Sequence, residues 1–360
     1  MDKEGSASVN PERQASLVSR GTALQGVAAD ERNHVAVSTG AIEDGQVRYP
    51  EGREDDDRRR TPIAEEAERA ARAIHQEGRF PRPSRRRVFS VANQKGGVGK
   101  TTSTVNIAAA LALHGLRTLV VDLDPQGNAS TALGVEHHTG TPSVYELLLG
   151  EITVSDAVTV SPQSPNLLCI PATIDLAGSE IELVTMVARE SRLREALSTA
   201  ALDELDVDYV FIDCPPSLGL LTVNALVAAP EALIPIQCEY YSLEGLGQLL
   251  SNINLVRAHL NPTLTVSTIL LTMYDARTKL ADQVTAEVRQ HFGEQVLRTV
   301  IPRSVKVSEA PGYGQTVLAY EPGSRGAMSY LDAAREIAIR GAQRDGAQRD
   351  GTQRDGENVR

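Results

Sequence analysis

Cysteine is scarce in this chain. Cys169, Cys214 and Cys238 are the three in 360 residues, they lie far apart, and none belongs to a CxxC pair. Each sits in or beside an apolar, strand-like run, so they are expected to be small buried hydrophobes, not metal ligands or disulfide partners. Long apolar runs are missing as well: none approaches the roughly 20 residues a helix needs to cross a bilayer. The opening Met1-Asp2-Lys3-Glu4 has neither the basic flank nor the apolar stretch of a secretory signal. These absences predict a cytoplasmic protein without membrane attachment. Net positive charge is the last absence. Residues 1–87 carry 16 acidic and 16 basic side chains and residues 341–360 carry 4 of each, so the net charge of −11 falls wholly on residues 88–340. A field of that sign repels nucleic-acid phosphate, and any DNA contact must use a local basic patch.

Composition divides the chain in three. Residues 1–87 are rich in Ser, Ala, Gln, Gly and Arg, with an acidic block at Glu54-Asp55-Asp56-Asp57 running into Arg58-Arg59-Arg60; they read as a disordered, low-complexity extension. One short helix is expected inside it, capped by Thr61 with Pro62 at its first position and Ile63, Ala67, Ala70 and Ile74 along one face. Arg85-Arg86-Arg87 closes the segment as a solvated linker or a DNA-touching arm. Residues 341–360 repeat Gly-Ala/Thr-Gln-Arg-Asp with period five, which matches neither helix nor strand, and a glycine in every unit predicts a flexible, non-helical tail.

Residues 88–340 alternate apolar runs with helical periodicity. Strands are predicted at 88–93, 117–122, 167–170, 208–213, 232–237, 266–272 and 296–301, and helices near 100–114, 179–200, 219–228, 242–260 and 278–292. Several strands are apolar throughout, as in sheets covered by helices on both faces. The predicted fold class is α/β: a doubly wound, mainly parallel sheet.

The first strand runs into Gln94-Lys95-Gly96-Gly97-Val98-Gly99-Lys100-Thr101-Thr102 and then into an apolar-periodic helix, the setting of a nucleoside-triphosphate loop. Glycines let backbone N–H groups surround phosphates, and the helix N-terminus adds the positive end of its dipole. Lys100 is suited to the β- and γ-phosphates and the Thr101 hydroxyl to Mg²⁺. Asp213, ending the strand 208–213, is placed to hold Mg²⁺ through water. Asp122 and Asp124 follow the second strand. Alternate carboxylates there point the same way, so both are candidates to face the γ-phosphate, with Asp124 assigned to the attacking water; each is alternatively a turn cap.

Lys95, beside Gln94 where the common loop has its first glycine, resembles the signature of the deviant Walker A ATPases, in which the extra lysine reaches the nucleotide of a partner subunit. Together with Asp122-Leu-Asp-Pro-Gln-Gly-Asn-Ala, Asp213-Cys-Pro-Pro-Ser, Gln237-Cys-Glu-Tyr-Tyr-Ser-Leu-Glu-Gly and Ile301-Pro-Arg-Ser-Val-Lys-Val-Ser-Glu-Ala-Pro, the loop resembles that of the ParA (Soj-type) partition ATPases over about residues 88–340. The resemblance implies a P-loop ATPase, slow and partner-stimulated, that uses ATP and Mg²⁺, forms a homodimer on ATP, binds double-stranded DNA without sequence preference on the nucleoid, and segregates a chromosome or plasmid with a ParB-type partner. It also implies that Lys95, Gly96, Gly97, Val98, Gly99, Lys100, Thr101 and Thr102 hold the phosphates and that Pro302 and Ser304 lie near the base, although Ser304 stands where asparagine is usual. Arg277 and Lys306 match positions used for DNA, within a segment, 277–306, that holds six bases against three acids. The extension is a candidate arm for a polar scaffold protein.

Other classes fit less well. A membrane-cycling division ATPase needs an amphipathic C-terminal helix that the repeats do not encode. An iron–sulfur reductase needs cluster-ligating cysteines, and a tyrosine autokinase needs a tyrosine-rich tail. An ATP-dependent small-molecule ligase is the main enzyme alternative.

Overall fold

In the computed structural model, residues 78–239 and 242–357 are described. Eight strands form one sheet: β1 Arg87–Val91, β2 Thr118–Asp122, β3 Thr159–Val160, β4 Leu167–Ile170, β5 Tyr209–Asp213, β6 Glu231–Gln237, β7 Thr265–Tyr274 and β8 Val296–Pro302. Their order is β3-β4-β2-β5-β1-β6-β7-β8. Every pairing is parallel except that of β3 with β4. The seven predicted strands are all present, each within a few residues of its predicted limits. Two-residue β3 escaped prediction because it is too short to carry a period.

The helices that matter below are α1 Lys100–Leu113, α2 Asn128–Ala132, α3 Leu176–Val184, α4 Arg192–Ala196, α5 Thr199–Glu204, α6 Leu220–Ala228, α7 Ser242–His259, α8 Lys279–Phe292, α9 Val305–Glu309 and α10 Arg325–Glu357. Successive strand residues point to opposite faces, and both faces are buried. Leu119, Val121, Val210 and Ile212 enter one apolar core, which also takes Leu226, Leu249 and Ile253 from α6 and α7. Val120, Tyr209 and Phe211 enter the other, with Ile107 and Leu111 of α1 and Leu331 and Ile337 of α10. Both layers are needed to bury uniformly apolar strands, and the doubly wound α/β fold follows. The three cysteines are buried and unpaired.

Three expectations are corrected. The helix predicted over 179–200 breaks into α3, α4 and α5. Ala188 adopts φ 55° between the first two, and Asn224 of α6 takes over the loose ends, donating 2.8 Å to the Arg189 carbonyl and accepting 3.1 Å from the Leu193 N–H. Those tertiary bonds replace the intrahelical ones that Thr185 and Val187, poor helix formers, would have had to support.

The second correction moves the domain boundary. Gly78–Arg86 was assigned to the disordered extension, yet it lies against the sheet. Phe80 is buried and stacks on His114 with ring centroids 4.1 Å apart. Arg82 pairs with Asp208 at 2.5 Å and Arg86 with Asp203 at 2.6 Å. Arg87 opens β1, is buried against Glu231, donates 3.1 Å to the Ile337 carbonyl and covers the Phe89 ring. Arg86 and Arg87 are therefore fastened to acids of the folded domain, Asp203 at its surface and the largely buried Glu231, and do not read as a solvated linker or a free DNA arm. The expected helix at Thr61, and the charge blocks before it, lie outside the described residues.

Third, the tail was predicted to be non-helical, whereas the α10 backbone continues through the repeats to Glu357. Nucleation is the costly step of helix formation, and the packed stretch up to Ala338 has already met it. Ala, Gln and Arg are residues that propagate a helix well once it is started.

Candidate functional site

β1 lies between β5 and β6, so the loop that follows it opens at the carboxyl edge of the sheet, where doubly wound folds keep their ligands. The loop is fixed from both sides. Asn93 donates 2.7 Å to the Pro235 carbonyl of β6 and accepts 3.0 Å from the Lys95 N–H. Thr272 of β7 donates 2.8 Å to the Val98 carbonyl. Gly97 and Gly99 take φ 73° and 87°, the left-handed region that a side chain disfavours. Gly99 is also the N-cap of α1 and offers no capping side chain, so the first N–H groups of α1 remain directed at the space in front of the loop.

That space is a cavity of about 530 Å³ lined by Gly96, Gly97, Gly99, Lys100, Thr101 and Thr102 from the loop, by Asp124, Gln126 and Asn128 after β2, and by Pro216, Met273, Val307, Ser308 and Pro311. A second cavity of about 210 Å³ adjoins it through Gly99, Thr102, Met273, Val307 and Ser308, and reaches Pro302, Arg303, Ser304 and Tyr330. Both volumes together suit a ligand of nucleotide size. Of the residues anticipated for phosphate and base, Gly96, Gly97, Gly99, Lys100, Thr101, Thr102, Pro302 and Ser304 line the two adjoining chambers, and Lys95 and Val98 line neither. Gln126, Asn128, Pro216, Met273 and Ser308 were not anticipated. Four of them lie inside the quoted motifs but were given no role there, because only the fold brings them to the loop, and Met273 lies outside every motif.

The ionisable groups divide clearly. Lys100 is buried, and burial lowers its pKa against the opposing pull of Asp213 and Asp124. Asp213 is completely buried; burial first, then the neighbouring Asp122 charge, pushes its carboxyl up to about 8, while the nearby hydroxyls of Thr101 and Thr104 act the other way. Thr104 donates to Asp213 Oδ1 at 3.1 Å, but Oδ2 has no partner among the described residues. A buried carboxylate oxygen without a donor, beside the Thr101 hydroxyl, fits an outer ligand of a hydrated divalent cation. Asp122 stands opposite Asp213 in the β2–β5 register, and burial raises its carboxyl to about 6. Its Oδ2 accepts 2.8 Å from the Ser130 N–H and 2.7 Å from the Ser130 hydroxyl, and its Oδ1 accepts 3.3 Å from the Asp124 N–H. Both oxygens are committed to the turn and to α2, so Asp122 is structural and does not face the cavity. Asp124 does line it, held by the Gln126 N–H at 3.0 Å.

Lys95 does not line either chamber. Its Nζ lies 3.3 Å from Glu239, which also receives Arg303 at 3.5 Å and Gln237 at 2.6 Å. Arg277 is exposed and held bidentately by Asp275 at 2.9 and 2.7 Å. Lys306 pairs with Glu309 at 3.1 Å and lies over the Tyr320 ring. The basic excess counted over 277–306 is therefore offset in space by Asp275, Glu239 and Glu309, acids that lie outside that stretch of sequence.

Among the described residues no helix is long and apolar enough to span a membrane. A family profile described as an AAA domain matches residues 86–266. The sporulation initiation inhibitor protein Soj of Bacillus subtilis is 51% identical over 255 residues, covering 71% of this chain and 99% of that one. The chromosome partitioning protein ParA of Myxococcus xanthus is 49% identical over 254 residues, 71% of this chain and 88% of that one. A cobyrinic acid a,c-diamide synthase from Mycobacterium smegmatis, solved with a bound ATP analogue and magnesium, superposes with a TM-score of 0.59 at 41% identity, covering 69% of this chain and 93% of that one. Phosphate loop, sheet order and likeness over nearly the whole of Soj agree, and the chain belongs to the Soj/ParA family of P-loop partition ATPases.

Proposed function

We propose that the protein is an ATP-driven switch: with ATP and Mg²⁺ it forms a homodimer that binds double-stranded DNA without sequence preference, and a ParB-type partner triggers hydrolysis and release. The observation that carries the reading is the pair of adjoining chambers on the loop over residues 96–102, with a buried lysine at one end and Pro302 and Ser304 at the other. The structural relative solved with an ATP analogue and magnesium supports the ligand pair.

The N–H groups of Gly96–Thr102 and the Lys100 ammonium would neutralise the β- and γ-phosphates. Mg²⁺ would be held by the Thr101 hydroxyl and, through water, by Asp213; when bound it supplies charge neutralisation at the transferring phosphoryl group. A bound cation would favour the ionised form of Asp213, opposing the effect of burial. Asp124 orients the attacking water, which acts on the transition state and hence on turnover more than on affinity. Lys95 reaches the partner's nucleotide, and for that it must leave Glu239. Arg277 and Lys306 contact DNA phosphate; a monomer offers one such pair and a dimer two, so dimerisation raises DNA affinity through avidity. Residues 1–77 are proposed as an interaction arm, with a polar scaffold protein as one candidate partner, and the nucleoid as the place of work within the cytoplasm.

The synthase likeness supports a second reading, an ATP-dependent small-molecule ligase. Light scattering and DNA pelleting in ATP, in ADP and without nucleotide separate the two. A switch doubles in mass and pellets with DNA in ATP alone. A ligase shows neither response, and its ATP turnover depends on an added metabolite.

A further inference from the structure

Among the described residues, three other than glycine have positive φ: Ala188, Asp206 and Met273. The first two lie in connections between elements. Met273 sits inside β7, at φ 51°, where the pairing with β8 slips between Leu271 and Tyr274. A residue other than glycine in the left-handed region is uncommon, the more so inside a strand, and such a conformation persists only where the surroundings over-determine it. Here they do. Thr272 Oγ1 is bonded to Val98 of the phosphate loop, the Thr272 carbonyl accepts 3.1 Å from the Cys238 N–H, and the Tyr274 carbonyl accepts 3.0 Å from the Arg303 N–H. With both neighbours fixed, Met273 cannot return to an extended conformation without breaking one of these bonds.

The twist places Met273 in the wall shared by the two chambers. The side-chain acceptors left to read a base edge in the smaller chamber are hydroxyls, those of Thr102, Ser304 and Ser308. The Thr272 hydroxyl is spent on Val98, the Tyr330 hydroxyl lies 3.4 Å from Ser103, and no carboxylate lines the chamber. Guanine's adjacent N1–H and 2-amino donors are matched by a carboxylate, which accepts both at once, whereas adenine's single 6-amino donor is served by one hydroxyl or carbonyl.

Resting on the nucleotide reading above, we infer that Met273 is a specificity-determining residue: its thioether side chain packs on the purine and seats it so that the adenine base is accepted and guanine is not. The left-handed backbone is the device that aims it. Thioether–aromatic contacts are favourable but modest, and removing one apolar contact relaxes discrimination by about tenfold.

The test compares wild type with Met273→Ala, Met273→Gly and Met273→Leu in the full chain, measuring ATP and GTP affinity by titration and the melting temperature without nucleotide. The ratio of ATP to GTP affinity is expected to fall about tenfold in the Ala and Gly variants and to stay near wild type in the Leu variant. Met273→Gly should melt about 2–4 °C above Met273→Ala, because glycine alone adopts this φ freely. If the Ala and Gly variants keep the wild-type ratio, Met273 does not select the base. If Gly melts no higher than Ala, the backbone is not strained. A wild-type chain that binds neither nucleotide would instead overturn the nucleotide reading itself.

Discussion

At the residue scale, burial assigns different work to three charged groups of the larger chamber and its floor, Lys100, Asp124 and Asp213. Lys100 is buried and faces the larger chamber, so Lys100→Ala leaves phosphate without its main cation. A loss of about 2–4 kcal/mol in ATP affinity is expected in a titration; wild-type affinity would remove the loop from the site. Asp124→Ala should bind ATP normally yet turn over about a hundredfold more slowly in a phosphate-release assay. Asp213 gives a pH prediction. Its folded carboxyl titrates at about 8 against an ordinary value of 3.8, so between those values the folded chain holds a proton that the unfolded chain has lost. Stability contributed in this way is complete below the ordinary value and is lost as pH rises through the folded one. The nucleotide-free protein should therefore melt lower at about pH 8 than at about pH 6, and Asp213→Asn should flatten that slope. Saturating ATP and Mg²⁺ should flatten it too. An unchanged slope in Asp213→Asn would show that another group is responsible.

At the element scale, the segment ahead of β1 is where charge patterning misleads. A run of arginines beside prolines looks solvated, but Arg82, Arg86 and Arg87 have acids waiting at Asp208, Asp203 and Glu231, residues more than 110 positions away whose proximity no local pattern encodes. Truncation separates the two boundaries. Removing residues 1–77 should leave the melting temperature and ATP turnover unchanged, whereas removing residues 1–86 should lower the melting temperature. Much of that loss belongs to Phe80. Phe80→Ala should cost about 3 kcal/mol, or about 6–12 °C in calorimetry. An unchanged melting temperature in the longer truncation would return the boundary to residue 87.

At the scale of the whole molecule, a body of net charge −11 meets DNA only through a small patch, and the patch is tempered. Asp275 and Glu309 hold the two cations proposed to touch phosphate, so a single copy should bind weakly. In ATP, Arg277→Ala with Lys306→Ala should weaken binding to two unrelated duplexes equally. It should also lower the log–log salt slope by about one per lost contact, while light scattering still reports a dimer. Unaltered DNA affinity in that dimer would place the interface elsewhere.

The phosphate loop was legible in the sequence because its parts are contiguous: a strand, glycines, a lysine and a threonine, all within fifteen residues of Val88. So were seven strands and the doubly wound sheet, since uniformly apolar runs between helical stretches admit few other solutions. What required the tertiary structure were relations between distant segments. Asp122 and Asp124 share one local pattern, but only Ser130, folded back onto Asp122, shows that the first is a structural acceptor. Asn224 ends a helix thirty-odd residues before it, and Met273 becomes a site residue only because β7 is pinned to the phosphate loop. Local sequence sets propensity and period, whereas satisfaction of buried polar groups is settled by whichever segments the sheet order brings together.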